Sequence, residues 1–90
     1  MIRYFVTFTG QVQGVGFRWV MMGLARDNNV TGWVRNRSNG NVECELQGNP
    51  SDVSTLINSM YNGSYYIRVD DYFIKEIPVV EDEKDFIVRL

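Results

Sequence analysis

The chain contains no histidine. That absence removes Ser-His-Asp and Cys-His catalysis, every histidine-based metal site and the usual general base at neutral pH. Cys44 is the only cysteine, so neither an internal disulfide nor a cysteine metal cluster can form. No apolar run approaches the ~18 residues of a membrane span. Basic residues are not in surplus either. Nine Lys and Arg face eleven Asp and Glu, for a net charge of −2. General nucleic-acid binding wants a basic face, so this balance argues against it. An enzyme built from such a chain must work by positioning and electrostatics, or through carboxylates.

What is present suits one compact domain spanning residues 1–90. Apolar residues make up 44% and aromatics 13%, enough to exclude a disordered chain. No basic region, apolar stretch and small-residue cleavage site precede the strand-like "IRYFVTFT", so a cytoplasmic location is the expectation. Without a secretion signal, the glycosylation patterns at Asn36 and Asn62 read as chance matches.

Residues 2 to 9 are rich in β-branched and aromatic types and predict a strand. Phe17, Val20, Met21, Leu24 and Ala25 fall at helical spacing and predict a helix over 17–28. Asn28 and Asn29 suit its end, because Asn tolerates a left-handed backbone. "VTGWVRN" and "NVECELQG" read as two strands joined by a hairpin at Asn39-Gly40. "NPSDVSTLINSMYNG" reads as a second helix. Asn49 is its candidate cap, Pro50 suits the first turn, and Asp52 favours the positive helix end. Val53, Leu56, Ile57 and Met60 form its apolar stripe, and Gly63 ends it. "SYYIRVDDYFIKEIPV" holds strand material, "VEDEKD" a charged turn and "FIVRL" a short final strand.

This order predicts an α+β fold: a ferredoxin-like α/β sandwich, βαββαβ with a short extra C-terminal strand. Two helices would cover one face of an antiparallel sheet. The architecture hosts many functions, so the chemistry must come from particular residues.

"GQVQGVGFR" at 10–18 places Gly10, Gly14 and Gly16 between the first strand and the first helix. Glycines there allow successive N–H groups to converge on an anion beside the positive helix end. Arg18 follows in the first helical turn, and its guanidinium can give two parallel bonds to a phosphate or carboxylate. Pattern alone leaves a second reading open, in which the glycines serve only the turn and Arg18 is solvated. The stretch has neither a GK[ST] ending nor the GxGxxG spacing, so the two commonest phosphate loops are excluded. In "GWVRN", Asn36 ends a strand and shares a face with Val34. Its amide can orient a water or simply bond its own turn.

"GQVQGVGFR", "GWVRN", "NGNVE" and "LQG", taken in that order, resemble the acylphosphatase family. The likeness runs from "YFVTFTG" to "FIVRL". The resemblance implies hydrolysis of the carboxyl–phosphate bond of small-molecule acyl phosphates, giving a carboxylate and orthophosphate. It implies Arg18 and Asn36 as the catalytic pair. Arg18 and the backbone N–H groups of Gln11, Val12, Gln13, Gly14, Val15, Gly16 and Phe17 would hold the phosphoryl group. Asn36 would position the attacking water, and a phosphate oxygen would take its proton. No metal, cofactor, nucleic acid or membrane is implied, and a monomer is expected. Two departures stand out. Asn28-Asn29 replaces the family's common Leu-Gly, and Asn39-Gly40 its common Asp-Gly.

Other residues read as structural. Trp33 is assigned to packing, and Trp19 to a partly exposed place near the site without a favoured role in shielding substrate. Met21, Met22 and Met60 are packing residues, and Cys44 a buried inert thiol. Asp70, Asp71, Glu81, Asp82 and Glu83 match no calcium loop and read as solvated surface. Two other functions compete: a phosphate- or carboxylate-binding module without turnover, and a single-strand RNA binder. "GFRWV" has a faint likeness to the aromatic motif of RNA-recognition domains. That motif belongs on a third strand, whereas here it opens a helix. Salt-sensitive RNA binding would single out that reading.

Overall fold

The structure, a computed structural model, describes residues 1–64 and 66–90. Tyr65, within the stretch read as irregular strand material, lies outside the described residues. In chain order the elements are β1 (Ile2–Gln11), α1 (Phe17–Asp27), β2 (Thr31–Asn36), β3 (Val42–Gly48), α2 (Pro50–Asn62), β4 (Arg68–Ile77) and β5 (Phe86–Val88). The sheet order is β4-β1-β3-β2-β5. Every pairing is antiparallel except β2 with β5, which run parallel. The expected antiparallel sheet is therefore mixed at one edge. The parallel strand needs a crossover, and the charged 78–85 segment supplies the end of it.

Alternation along the strands sorts the two faces. Val6 and Phe8 of β1 lie opposite Cys44 and Val42 of β3. All four are fully buried and join Val34 beneath the helices. From α1 come Phe17, Met21 and Ala25, and from α2 Val53, Leu56, Ile57 and Met60. Truncating a core residue such as Leu56 to alanine typically costs about 2–5 kcal/mol. The buried stripe of α1 is narrower than its periodicity suggested. Val20 is exposed and Leu24 only half-buried, so part of the apolar stripe of this helix faces solvent. Asn49 does occupy the N-cap position of α2, but its side chain makes no capping bond. Asn29 takes the left-handed conformation expected of it, at φ 57°. The side chain of Asn28 donates to the Leu24 carbonyl at 2.7 Å and closes α1.

The opposite sheet face carries a buried arginine that the strand pattern did not single out. Arg3 is 2% exposed. It donates to Glu45 at 2.7 Å, to Gln47 at 3.1 Å and to Glu83 at 2.8 Å. Burial disfavours its charge, but the bonds to Glu83 and Glu45 outweigh that and raise its pKa. Glu83 is therefore no free surface carboxylate, as the acidic run had suggested. It ties the segment after β4 onto the sheet. Trp33 lies on the same face, 6% exposed. The guanidinium groups of Arg35 and Arg89 lie over its ring, at 5.2 and 4.5 Å from the centroid. Trp33 is thus a packing residue. No described helix is long and apolar enough to cross a membrane.

Candidate active site

β1 delivers the chain to one end of the sheet with an irregularity. Its register against β4 shifts between Thr9 and Gly10. Gly10 sits inside the strand at φ 125°, where a Cβ would lie 2.3 Å from the Arg68 carbonyl oxygen. Its glycine requirement comes from that close approach and from its positive φ, so Gly10 belongs to β1, not to the loop. Gln11 is likewise the last paired residue of β1, opposite Arg68. The loop proper is anchored by two core side chains, Val12 and Phe17, each 1% exposed. Phe17 packs on Phe8 with ring centroids 5.2 Å apart.

Between these anchors the backbone turns left-handed twice, at Gly14 (φ 73°) and Gly16 (φ 81°). A Cβ at either would meet nothing within 4 Å. What demands glycine here is the dihedral angle, not crowding. Gly16 then serves as the N-cap of α1 in that conformation. No side chain caps this helix, and no acidic residue stands in its first turn. The first-turn N–H groups and the positive end of the helix are left uncovered. With Phe17 turned into the core, the next side chain, Arg18, is turned away from it at the same helix end. Its Nη1 donates to the Arg89 carbonyl at 3.4 Å, tying it loosely to the end of β5.

A cleft of about 230 Å³ opens at this point. It is lined by Val12, Gly14, Gly16, Phe17, Arg18, Trp19 and Asn36. The fold thus brings the glycine loop, Arg18 and Asn36 together on one concavity, although Asn36 comes from a different strand. Gln11, Gln13 and Val15, grouped with the loop by position, do not line it. Asn36 arrives at the end of β2, paired with Val42, just before the turn. Its Oδ1 is buried and has no hydrogen-bond partner among the described residues. The alternative reading of Asn36, an amide spent on its own turn, does not apply to this oxygen. Asn39 does that instead, accepting from the Asn41 N–H at 3.0 Å.

The lining contains one cation and no carboxylate. A larger cavity, about 370 Å³, lies at the other end of the sheet. Its lining includes Glu81, Asp82 and Glu83 and no Arg or Lys, so it would repel a phosphate. Size alone would have chosen the wrong end. Cys44 is fully buried, and that burial, with Glu43 and Glu45 beside it, pushes its thiol well above the ordinary range. It has neither the charge state nor the access of a nucleophile.

A small α+β domain whose left-handed glycine loop, helix start and one arginine share a cleft has the features of an anion-binding protein. Comparison with known proteins specifies which. The sequence model of the Acylphosphatase family matches residues 4–88. An acylphosphatase of Clostridium beijerinckii is 38% identical over 89 residues, covering 99% of both chains. Among solved structures, the acylphosphatase of Bacillus subtilis superposes with a TM-score of 0.93 at 31% identity, covering 100% of both chains. That of Coxiella burnetii gives 0.89 at 38% identity, covering 98% of this chain and 92% of the other. The chain belongs to the acylphosphatase family, enzymes that hydrolyse the carboxyl–phosphate bond of acyl phosphates.

Proposed function

We propose that the cleft at the start of α1 is the catalytic site, with Arg18 and Asn36 in separate roles. Arg18 and the loop N–H groups hold the phosphoryl group of the substrate, Val12, Gly14, Gly16 and Phe17 being the loop residues that line the cleft. Their geometry supports this: left-handed glycines, an uncapped helix start and one guanidinium surround one small concavity. Asn36 places the attacking water. The observation that carries this role is that Asn36, from a separate strand, lines the same cleft as Arg18 and the glycine loop. A water that donates one hydrogen to an acceptor at the cleft wall keeps a lone pair free to face phosphorus.

The chemistry then follows without a protein base. Water oxygen bonds to phosphorus as the bond from phosphorus to the acyl oxygen breaks. The carboxylate leaves with that electron pair, and a phosphoryl oxygen takes the water's proton. No Asp, Glu or Lys lines the cleft, in agreement with a proton that stays on the substrate. A carboxylate is a good leaving group, so positioning and charge stabilisation suffice. The reading is completed by independence from metal ions, a cytoplasmic location and a monomeric state with residues 1–90 acting as one unit.

The test is hydrolysis of benzoyl phosphate, followed by ultraviolet absorbance with and without chelator. Wild type is expected to turn over with chelator present. Arg18→Ala should lose both turnover and inhibition by inorganic phosphate. Asn36→Ala should keep the inhibition and lose about 10²-fold in kcat, the scale of one transition-state contact. Full activity in either variant would remove that residue from the site.

A further inference from the structure

Gln13 does not line the cleft, yet its side chain joins the two halves of it. Its Nε2 donates to the Arg37 carbonyl at 2.7 Å and to the Asn41 carbonyl at 2.8 Å. Both partners are acceptors, so only the NH₂ end of the amide can face them, and its orientation is fixed by chemistry. The same two carbonyls close the β2–β3 turn. Arg37 N–H donates to Asn41 O at 2.8 Å, and Gly40 N–H to Arg37 O at 3.2 Å. Gln13 therefore bonds the second lone pair of each carbonyl at the mouth of the hairpin. Arg37 directly follows Asn36. One amide thus spans from the glycine loop, between Val12 and Gly14, to the residue next to the water-positioning asparagine.

We propose that Gln13 is a positioning residue for the hydrolytic reaction, setting the place of Asn36 relative to the phosphate loop. The proposal rests on the roles given above to Arg18 and Asn36. The loop can bind phosphate through its own N–H groups and Arg18 without this brace. What the brace supplies is the register between the bound phosphoryl group and the water opposite it. A misplacement of about an ångström there can cost about 10²-fold. The effect should therefore fall on kcat, not on phosphate affinity. A residue that served only the turn's stability would lower the melting temperature and leave kcat per folded molecule unchanged.

A double-mutant cycle on the full chain tests this. Gln13→Ala, Gln13→Glu, Asn36→Ala and the Gln13→Ala/Asn36→Ala pair are compared. Readouts are kcat on benzoyl phosphate, the inhibition constant of inorganic phosphate, and thermal melting. Gln13→Glu keeps the shape but presents oxygens to two carbonyls, so it removes the donor without leaving a cavity. Both single Gln13 variants are expected to lose at least about tenfold in kcat while the phosphate inhibition constant stays within about threefold. In the Asn36→Ala background the Gln13 substitution should cost less than about twofold, because the residue it places is gone. Equal losses in both backgrounds would overturn the proposal, as would unchanged kcat in Gln13→Glu. So would a rise in the phosphate constant that accounts for the whole loss. If Asn36→Ala alone keeps full kcat, the role of Asn36 itself fails, and the single variant shows that separately from the cycle.

Discussion

The two helices begin in opposite ways. Both close their first turn on the N-cap carbonyl at 3.0 Å, but α2 starts from Asn49 in extended conformation, continues with Pro50 and carries Asp52 in its first turn. Each of these choices favours the helix, and a carboxylate at the positive end contributes about 0.3–1 kcal/mol. α1 starts from a left-handed glycine, has no acidic residue in its first turn and places Arg18 there, a cation at the positive end of the dipole. By the rules that govern α2, this is a poor start. The proposed phosphate site accounts for the difference, with stability set aside there for an anion. A segment that breaks several local rules together, with its neighbours following them, is where function is expected.

The largest break in this comparison is Arg18→Ala. It should lower kcat/KM by about 10²–10³-fold, measured on benzoyl phosphate, while the melting temperature holds or rises. Removing a cation from the positive helix end relieves a repulsion, and its one bond, at 3.4 Å, is weak. Gly16→Ala comes next. The added methyl meets no neighbour, so its cost is the left-handed backbone alone, about 1–2 kcal/mol in chemical denaturation. Activity should fall with it, as the loop loses its second left-handed turn. Asp52→Ala sharpens the contrast from the other side. About 0.3–1 kcal/mol of stability should be lost at low salt, with kcat/KM unchanged.

The smallest effect concerns the far end of α1. There Arg26 meets the Asp85 carboxylate at 3.1 and 3.2 Å. The Phe86 N–H and then Arg26 hold the Asp85 carboxyl below its usual range. A depressed carboxylate contributes stability above its unfolded pKa and loses that contribution as pH falls through its folded pKa. Asp85→Asn should therefore be slightly less stable than wild type at neutral pH. The gap in denaturation midpoint should close in acid, below the ordinary carboxylate range. The pair is exposed and screened, so added salt should shrink the gap as well.

Much of this was legible in the chain, and the parts that were not share a cause. Strand alternation, the apolar stripe of α2, the Asn39-Gly40 hairpin and the left-handed pair Gly14 and Gly16 are local signals. They survive because each depends on neighbours in sequence. Arg18 could be read for the same reason. Gly10 looked like a third loop glycine, since nothing local reveals that the β4 backbone crosses it closely. Arg3 read as one residue of a strand. Its partners Glu45 and Glu83 lie 42 and 80 positions away. The parallel edge made by β5 escaped notice because three residues carry no mark of direction. The brace from Gln13 was invisible too. A glutamine in a loop says nothing of a turn 24 and 28 residues later. For Asn36 the residue itself was legible, but the unpaired state of its buried oxygen appears only in three dimensions.

The most direct measurement is a titration of the wild-type chain with inorganic phosphate, followed residue by residue through amide NMR shifts. Saturable shifts are predicted for the amides from Val12 to Trp19 and for the Asn36 side chain, with the start of α2 at Ser51 to Val53 unmoved. Absence of saturable shifts in that loop, or shifts centred on the cavity bordered by Glu81 to Glu83, would contradict the placement of the site.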